Sequence, residues 1–377
     1  MQHVAFYITG HGYGHAVRSC AVIDACSQRN PFVFFHIRSA APSWLFKLSL
    51  NSNYIHYPVQ NDVGTIQQSF DKVDIPATLQ SLDSFFACEN EWLENEIAFL
   101  QKNQIRLVIG DIPPLAFEAA HRAEIRSIAI GNFSWDWIYS AYLKTFPGFK
   151  RHIWKIQKYY RRADLLLKLP FHGDMPAFPR SVEIPLLCKK AKRKSADIRG
   201  SLNCSPGHKL VLVALRQADR ARLNLNKLAS MKNVSFVFSG EVESYSNFRT
   251  VAEDELPFAE LINAVDFVVS KPGFGIVADC IAHNKPLLYT DRADFSECKV
   301  LMDGLQAYSN SVFISNDDFW AGNWQEALAY LHDMPWPDRT LAVNGDFIAA
   351  ENIDEFLQRG MAQSSLRKVS AASPRSE

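Results

Sequence analysis

Short apolar runs recur along this chain, separated by longer stretches in which apolar residues return every three or four positions. The runs have strand length and lie near residues 3–8, 32–37, 54–58, 106–110, 127–130 and 164–168. Helical spacing fits the stretches near 15–28, 42–50, 77–102 and 114–122. Strands that alternate with helices predict parallel βαβ units. The alternation stops at 189–199, which opens with Lys189-Lys190-Ala191-Lys192-Arg193-Lys194 and reads as a solvated linker rather than a nucleic-acid contact. It restarts at 209–214, 234–238, 265–269 and 286–289. The expected fold is therefore α/β, with two Rossmann-like doubly wound domains facing across a cleft. Residues 1–185 form the first domain, 186–200 a basic linker and 201–345 the second domain. A C-terminal helix at 346–360 and a disordered tail at 361–377, rich in Ser, Ala and Arg, complete the expectation.

Two of the strand-to-helix turns are rich in glycine. The first reads Gly10-His11-Gly12-Tyr13-Gly14-His15 after the run Val4 to Ile8. The second reads Ser270-Lys271-Pro272-Gly273-Phe274-Gly275 after Val265 to Val269, and its helix should begin near Gly275. Glycine lets the backbone adopt positive φ and approach a ligand closely, and a helix start offers unpaired N–H groups to an anion. Such turns lie at the carboxyl edge of an open sheet, where α/β proteins hold ligands. Asp279 follows one turn into the second helix, where a carboxylate can accept hydrogen bonds from a ribose diol or simply face the helix dipole. Two histidines in one such turn, His11 and His15, are hard to explain as packing.

Composition narrows the picture. Lys plus Arg and Asp plus Glu both number 40, so no net field recruits nucleic acid or an anionic membrane. With 47% hydrophobic and 21% charged residues the chain reads as an ordinary globular protein. Its seven cysteines are scattered without a CxxC pair, which suggests neither a zinc ribbon nor a disulfide framework and fits a reducing cytoplasm. The chain opens on a strand instead of a signal peptide, and no apolar stretch reaches the ~18 residues of a membrane span.

The strings GHGYGHAVRS, RSAAPSWLF, GDIPPLAFEAA, IGNFSWDWIY, SKPGFGIVADCIA and LLYTDRADF follow one another in order through the chain. In these it resembles GT-B glycosyltransferases, in particular the glycosyltransferase-like N-terminal region of L-arabinokinases and, more distantly, the N-acetylglucosaminyltransferase of peptidoglycan synthesis. The likeness covers roughly residues 3–305 and leaves out the sugar-kinase half of the arabinokinases. It implies a GT-B fold with an acceptor-side first domain and a donor-side second domain. His15 matches the position where related transferases place a histidine near the reacting sugar, and an imidazole suits a general base near neutral pH. His11 and Asp62, the latter in Asn61-Asp62-Val63-Gly64, compete as base, and Asp111 would orient the histidine or bind acceptor hydroxyls. The nucleotide diphosphate would lie on Gly12, Gly14, Ser270, Lys271, Pro272, Gly273, Phe274 and Gly275, with Asp279 on the ribose. Ser239 and Gly240 would lie near the base, and Asp294 and Phe295 near the sugar. Asn132, Ser134 and Asp136 look like acceptor-side groups, with Trp135 either a platform for a sugar face or interdomain packing. One departure stands out. Many GT-B enzymes close the first strand of the second domain with two glycines, whereas here the turn reads Ala214-Leu215-Arg216-Gln217, so that Arg216 would supply charge in their place.

The leading expectation is an inverting transfer of a sugar from a nucleotide-diphosphate donor, a UDP-sugar favoured, to a small-molecule or glycan acceptor. No Asp-x-Asp string occurs, so no catalytic metal is expected, and the nucleotide sugar is a co-substrate rather than a resident cofactor. A sugar-nucleotide epimerase of the same fold would need acids on both sides of the anomeric carbon, for instance Asp62 and Asp111. A catalytically silent nucleotide-sugar-binding module fits the lost glycines. A dinucleotide oxidoreductase fits poorly, because Gly10-x-Gly12-x-Gly14 is only a partial fingerprint and His36-Ile37-Arg38 stands where an acidic residue should close the second strand.

Overall fold

A computed structural model describes residues 1–69, 71–204, 207–292 and 295–371, with side chains through Gln358. The first domain holds β1 (Gln2–Ile8), α1 (Tyr13–Arg29), β2 (Val33–Arg38), α2 (Ser43–Ser49) and β3 (Tyr54–Tyr57). It continues with α3 (Ile75–Ala87), α4 (Glu89–Lys102), β4 (Leu107–Asp111), α5 (Pro114–Arg122), β5 (Arg126–Gly131), α6 (Trp135–Ser140), α7 (Phe149–Tyr160), β6 (Leu165–Lys168) and β7 (Ser181–Glu183). After α8 (Ser195–Ser201) the second domain runs β8 (Lys209–Ala214), α9 (Gln217–Arg220), α10 (Leu225–Ala229), β9 (Val234–Ser239), β10 (Phe248–Val251), α11 (Phe258–Ala264) and β11 (Phe267–Ser270). The rest is α12 (Phe274–Ala282), β12 (Leu287–Tyr289), α13 (Glu297–Tyr308), β13 (Ser311–Phe313), α14 (Asn316–Ala321), α15 (Gln325–Asp333) and α16 (Gly345–Ala371).

The sheets are ordered β3-β2-β1-β4-β5-β6-β7 and β10-β9-β8-β11-β12-β13, with parallel pairing between neighbours. Both reverse direction beside their first strand, between β1 and β4 and between β8 and β11. Those switch points open crevices at the carboxyl ends. There the two glycine turns leave the sheets, one after β1 and one after β11. Strands covered by helices on both faces need apolar residues at successive positions rather than alternate ones. Val4 to Ile8 and Leu210 to Leu212 are accordingly fully buried.

Several expectations change. The helix expected over 77–102 is two helices that meet at Cys88, which lies outside helical φ/ψ. The edge strands β7, β10 and β13 escape the sequence pattern, because Ser-Val-Glu, Phe-Arg-Thr-Val and Ser-Val-Phe carry too few apolar residues to form a run. The basic linker is tied down rather than simply solvated. Lys189 pairs with Asp24 at 2.5 Å, the Ala191 N–H donates to His283, and the N–H groups of Lys192 and Arg193 donate to Glu260. The last helix runs past residue 360 to Ala371, into the stretch expected as a disordered tail, where Ala, Gln, Leu, Arg and Lys favour helix. It returns to the first domain: Ile353 and Leu357 are buried, Asp354 meets Arg29, and Arg126 sits 3.9 Å above the Phe356 ring. Each such buried side chain contributes about 1.5–3 kcal/mol, which fastens the second domain's last helix to the first.

Candidate functional site

The turn between β1 and α1 depends on Gly12, the N-cap of α1, whose φ of 99° excludes most other residues. Once turned, the helix presents His15, Arg18 and Ser19 to Asp111 at the end of β4. The buried Asp111 carboxylate accepts from Arg18 Nε at 2.7 Å, Arg18 Nη2 at 2.6 Å, Ser19 Oγ at 3.1 Å and His15 Nδ1 at 2.8 Å. Arg18 Nη1 donates onward to Asn132 Oδ1 at 2.8 Å. Burial alone would raise the Asp111 carboxyl, but the charges and hydrogen bonds of Arg18 and His15 hold it well below the usual carboxylate range. An ionised oxygen 2.8 Å from Nδ1 requires a proton there, since two lone pairs would repel. In the neutral ring the lone pair then lies on the other nitrogen, Nε2, which makes no hydrogen bond to a described residue.

His11 occupies a different niche. Its ring stands edge-on to Trp135 at 5.6 Å and its Nε2 lies 3.3 Å from Thr65 Oγ1. Gly64 makes the space, because a Cβ there would collide with the imidazole. Burial, then the charges of His15, Arg216, Arg292 and Lys271, lower its pKa to about 4. Asp62 accepts from Thr9 Oγ1 at 2.9 Å and from the Trp135 indole N–H at 2.8 Å, and burial pushes its carboxyl up to about 6. Replacing Gly64 with alanine is expected to turn His11 out of its notch. The variant should stay folded, with the cross-peaks of the His11 ring shifted in an imidazole NMR spectrum and those of His15 unmoved.

Across the gap, α12 starts directly opposite α1. A Cβ placed on Gly275 would lie 3.5 Å from the Gly14 Cα, an ordinary contact, so the two helix starts touch through glycine backbone. Neither helix has a capping side chain or an acidic residue in its first turn. Their unpaired N–H groups and positive dipole ends therefore converge on one place. Arg18 lies 5.0 Å above the Phe274 ring and helps to hold the pair together. Three cations border the same place: Arg216 after β8, Lys271 after β11 and Arg292 after β12. Burial and the charges of Arg292 and Arg216 lower the Lys271 ammonium to about 7. Asp219 faces both Arg216, at 3.5 Å, and Lys271, at 4.0 Å. Arg216 also reaches over the gap to Gln67, as Arg222 does to Asp71 at 3.3 Å.

No protein-family model matches the chain. An L-arabinokinase of Arabidopsis thaliana is 28% identical over 357 residues, 93% of this chain, and the chain spans about a third (34%) of that protein's length. The calicheamicin glycosyltransferase CalG4 superposes with a TM-score of 0.57 at 12% identity, over 99% of this chain and 100% of its own. The glycosyltransferase VinC, in complex with dTDP, superposes with a TM-score of 0.55 at 14% identity over 99% and 100%. The fold is that of GT-B glycosyltransferases. A putative UDP-N-acetylglucosamine 2-epimerase from Listeria monocytogenes shares it, with a TM-score of 0.54 at 10% identity over 96% and 97%.

Set on this GT-B frame, the residues singled out in the sequence divide. His15 and Asp111 meet directly, with His11 and Asp62 close by. Gly12, Gly14, Lys271, Pro272, Gly273, Phe274, Gly275 and Arg216 gather at the two helix starts. Asp279 is buried, and burial alone pushes its carboxyl up to about 8. Ser270 differs from expectation: its hydroxyl is spent on the Ala214 carbonyl at 2.8 Å, which fastens β11 to β8. The carbonyl of Ser239 accepts from Arg220, whose guanidinium also braces the carbonyls of Leu215 and Glu241 beside Gly240. Phe295 lies under Arg292, whose guanidinium carbon is 3.3 Å from the Phe295 ring centroid. Asp294 lies outside the described residues.

The acceptor-side set needs correction. Asn132, Ser134, Trp135 and Asp136 all have 2% exposure or less, so none offers a surface to a sugar here. Trp135 is stacked on Tyr139 at 5.7 Å and its backbone N–H donates to Tyr160, which makes it a support for Asp62 rather than a platform. The sequence reading missed Arg18, Arg292, Arg220 and Gly64. Only Arg18 carried a usable signal, since three positions after His15 it shares that residue's helix face.

Among the described residues, no group of three or more His, Cys, Asp or Glu side chains could hold a metal ion. No described helix is long and apolar enough to cross a membrane.

Proposed function

We propose that this chain transfers a sugar from a nucleotide-diphosphate donor, a UDP-sugar by preference, to a small-molecule or glycan acceptor, with inversion at the anomeric carbon. The observation that carries this reading is the junction of two uncapped helix starts, one from each domain, bordered by Lys271, Arg216 and Arg292 and adjoined by the His15–Asp111 pair. The junction suits a diphosphate. His15 Nε2 would take the proton of an acceptor hydroxyl as its oxygen attacks the anomeric carbon. The bond from that carbon to the diphosphate oxygen would break, and its electron pair would leave with the nucleoside diphosphate. The cations and helix dipoles would stabilise the charge that grows there. Asp111 would stabilise the imidazolium without taking the proton.

The epimerase reading loses one of its two acids. Asp111 accepts hydrogen bonds from Arg18, Ser19 and His15 and stays ionised, so it is poorly placed to give and take a proton. A binding module without turnover predicts donor binding and no product.

The test is calorimetry of the purified chain with UDP, dTDP and NAD, followed by transfer assays with the anomeric configuration of the product read by NMR. UDP is expected to bind and NAD not to bind. Since a bound diphosphate favours the Lys271 ammonium over its neutral form, binding takes up a proton, and affinity for UDP should weaken as pH rises from 7 to 9. Lys271→Met should remove that slope and cost roughly 10- to 100-fold in affinity, the loss of one charge-assisted contact. Binding of neither nucleoside diphosphate would overturn the proposal.

A further inference from the structure

Tyr13 is the first residue of α1, set between Gly12 and Gly14, yet it is 47% exposed. Its ring is not loose. It stands edge-on to Trp44 at 5.5 Å and 86°, and Trp44 in turn packs on the apolar core. The turn itself is seated on the β2 side, since a Cβ at Gly10 would meet the Ala40 Cβ at 2.9 Å. Next to Tyr13, Gly14 touches Gly275 of the second domain, so the exposed ring stands at the mouth of the gap. The phenol is within electrostatic reach of Glu253 and Arg216, both from the second domain.

The strand orders fix what lies to each side. In the first sheet β1 has β4 on one side and β2 on the other. His15 is drawn to Asp111 on the β4 side, whereas Tyr13 and Trp44 occupy the β2 side. In the second sheet β8 stands between β11 and β9. Lys271 and Arg292 follow β11 and β12, whereas Gly240 and Glu253 follow β9 and β10. A donor whose diphosphate rests on the helix starts therefore has two exits. The one toward His15 suits the transferred sugar. The other leads between Tyr13 and the loop that carries Glu253.

We infer that Tyr13, braced edge-on by Trp44, stacks on the nucleobase of the donor, so that the first domain closes over the nucleotide through a ring of its own. This rests on the donor reading above. An exposed ring held by a second ring loses little freedom when a base settles on it, and Glu253 can accept from a base N–H opposite.

The experiment compares UDP with inorganic diphosphate on wild-type protein, Tyr13→Ala and Tyr13→Phe by calorimetry. Tyr13→Ala is expected to weaken UDP roughly 5- to 100-fold, the span of base–aromatic stacking, and to leave inorganic diphosphate unchanged. Tyr13→Phe should match wild type for both. Equal UDP affinity in wild type and Tyr13→Ala overturns the inference while the donor reading stands, and so does an equal loss for both ligands, which would mark a disturbed turn. Failure of wild type to bind UDP overturns the donor reading and the stacking with it.

Discussion

Replacing Asp111 with alanine is expected to destabilise the protein by about 3–5 kcal/mol, the usual cost of leaving one partner of a buried ion pair without the other. Both side chains are almost fully enclosed, with exposures of 1% for Asp111 and 5% for Arg18. In the variant Arg18 would keep the side-chain oxygen of Asn132 and the His15 ring beside it, and would hold its charge in a low-dielectric setting without a counter-charge. Chemical denaturation measures the effect as a shift in midpoint at constant slope. A second variant separates charge from packing: Asp111→Leu combined with Arg18→Met removes both charges and should recover much of the loss. The pH dependence follows from the depressed pKa. Ionised Asp111 contributes stability that is present above the unfolded value near 3.8 and is lost as pH falls through its lower folded value. Wild type should therefore lose this contribution only in strong acid, and the double variant should lack that part of the acid transition. An unchanged midpoint for Asp111→Ala would show that the network does not hold the switch point together.

What the sequence disclosed about this site was local. Strand, glycine turn and helix follow one another within about twenty residues at 3–23 and at 265–282, so both switch points could be read from the chain. Partners that meet over a long sequence separation could not. Arg18 stands 93 positions from Asp111, and nothing in its neighbourhood says which acid it will find. Gly64 looks like a turn residue, but its role is to leave room for a histidine from another loop. The segment Asn132 to Asp136 reads as exposed because it is polar. It is buried because Tyr139 stacks on Trp135 and Tyr160 bridges the Trp135 N–H to the Ile112 carbonyl. The basic linker misleads in the same way, since its charge suggested free solvation while its backbone N–H groups are claimed by Glu260.

His15→Ala is expected to lower the turnover number by 10²- to 10⁴-fold, the usual contribution of a positioned general base, with UDP affinity unchanged. The prediction separates three neighbouring groups by their surroundings. His11 is held neutral by burial and by four nearby cationic or ionisable groups, and a pKa of about 4 makes it a weak proton acceptor at neutral pH. Asp62 has a better pKa, about 6, but its oxygens already accept from Thr9 and from the Trp135 indole. Of the three, only His15 combines an unengaged ring nitrogen with a carboxylate that fixes the opposite one. His11→Ala should therefore act mainly on the affinity for the diphosphate, and Asp62→Asn should act mainly on packing and stability. A loss in kcat alone, shared by His15→Ala and His15→Gln, identifies an interaction made only in the transition state. If His15→Ala kept its turnover within a few-fold while Asp62→Asn lost it, proton removal would belong to Asp62. The Asp111 network would then serve to hold α1 against β4 and not to hold a base.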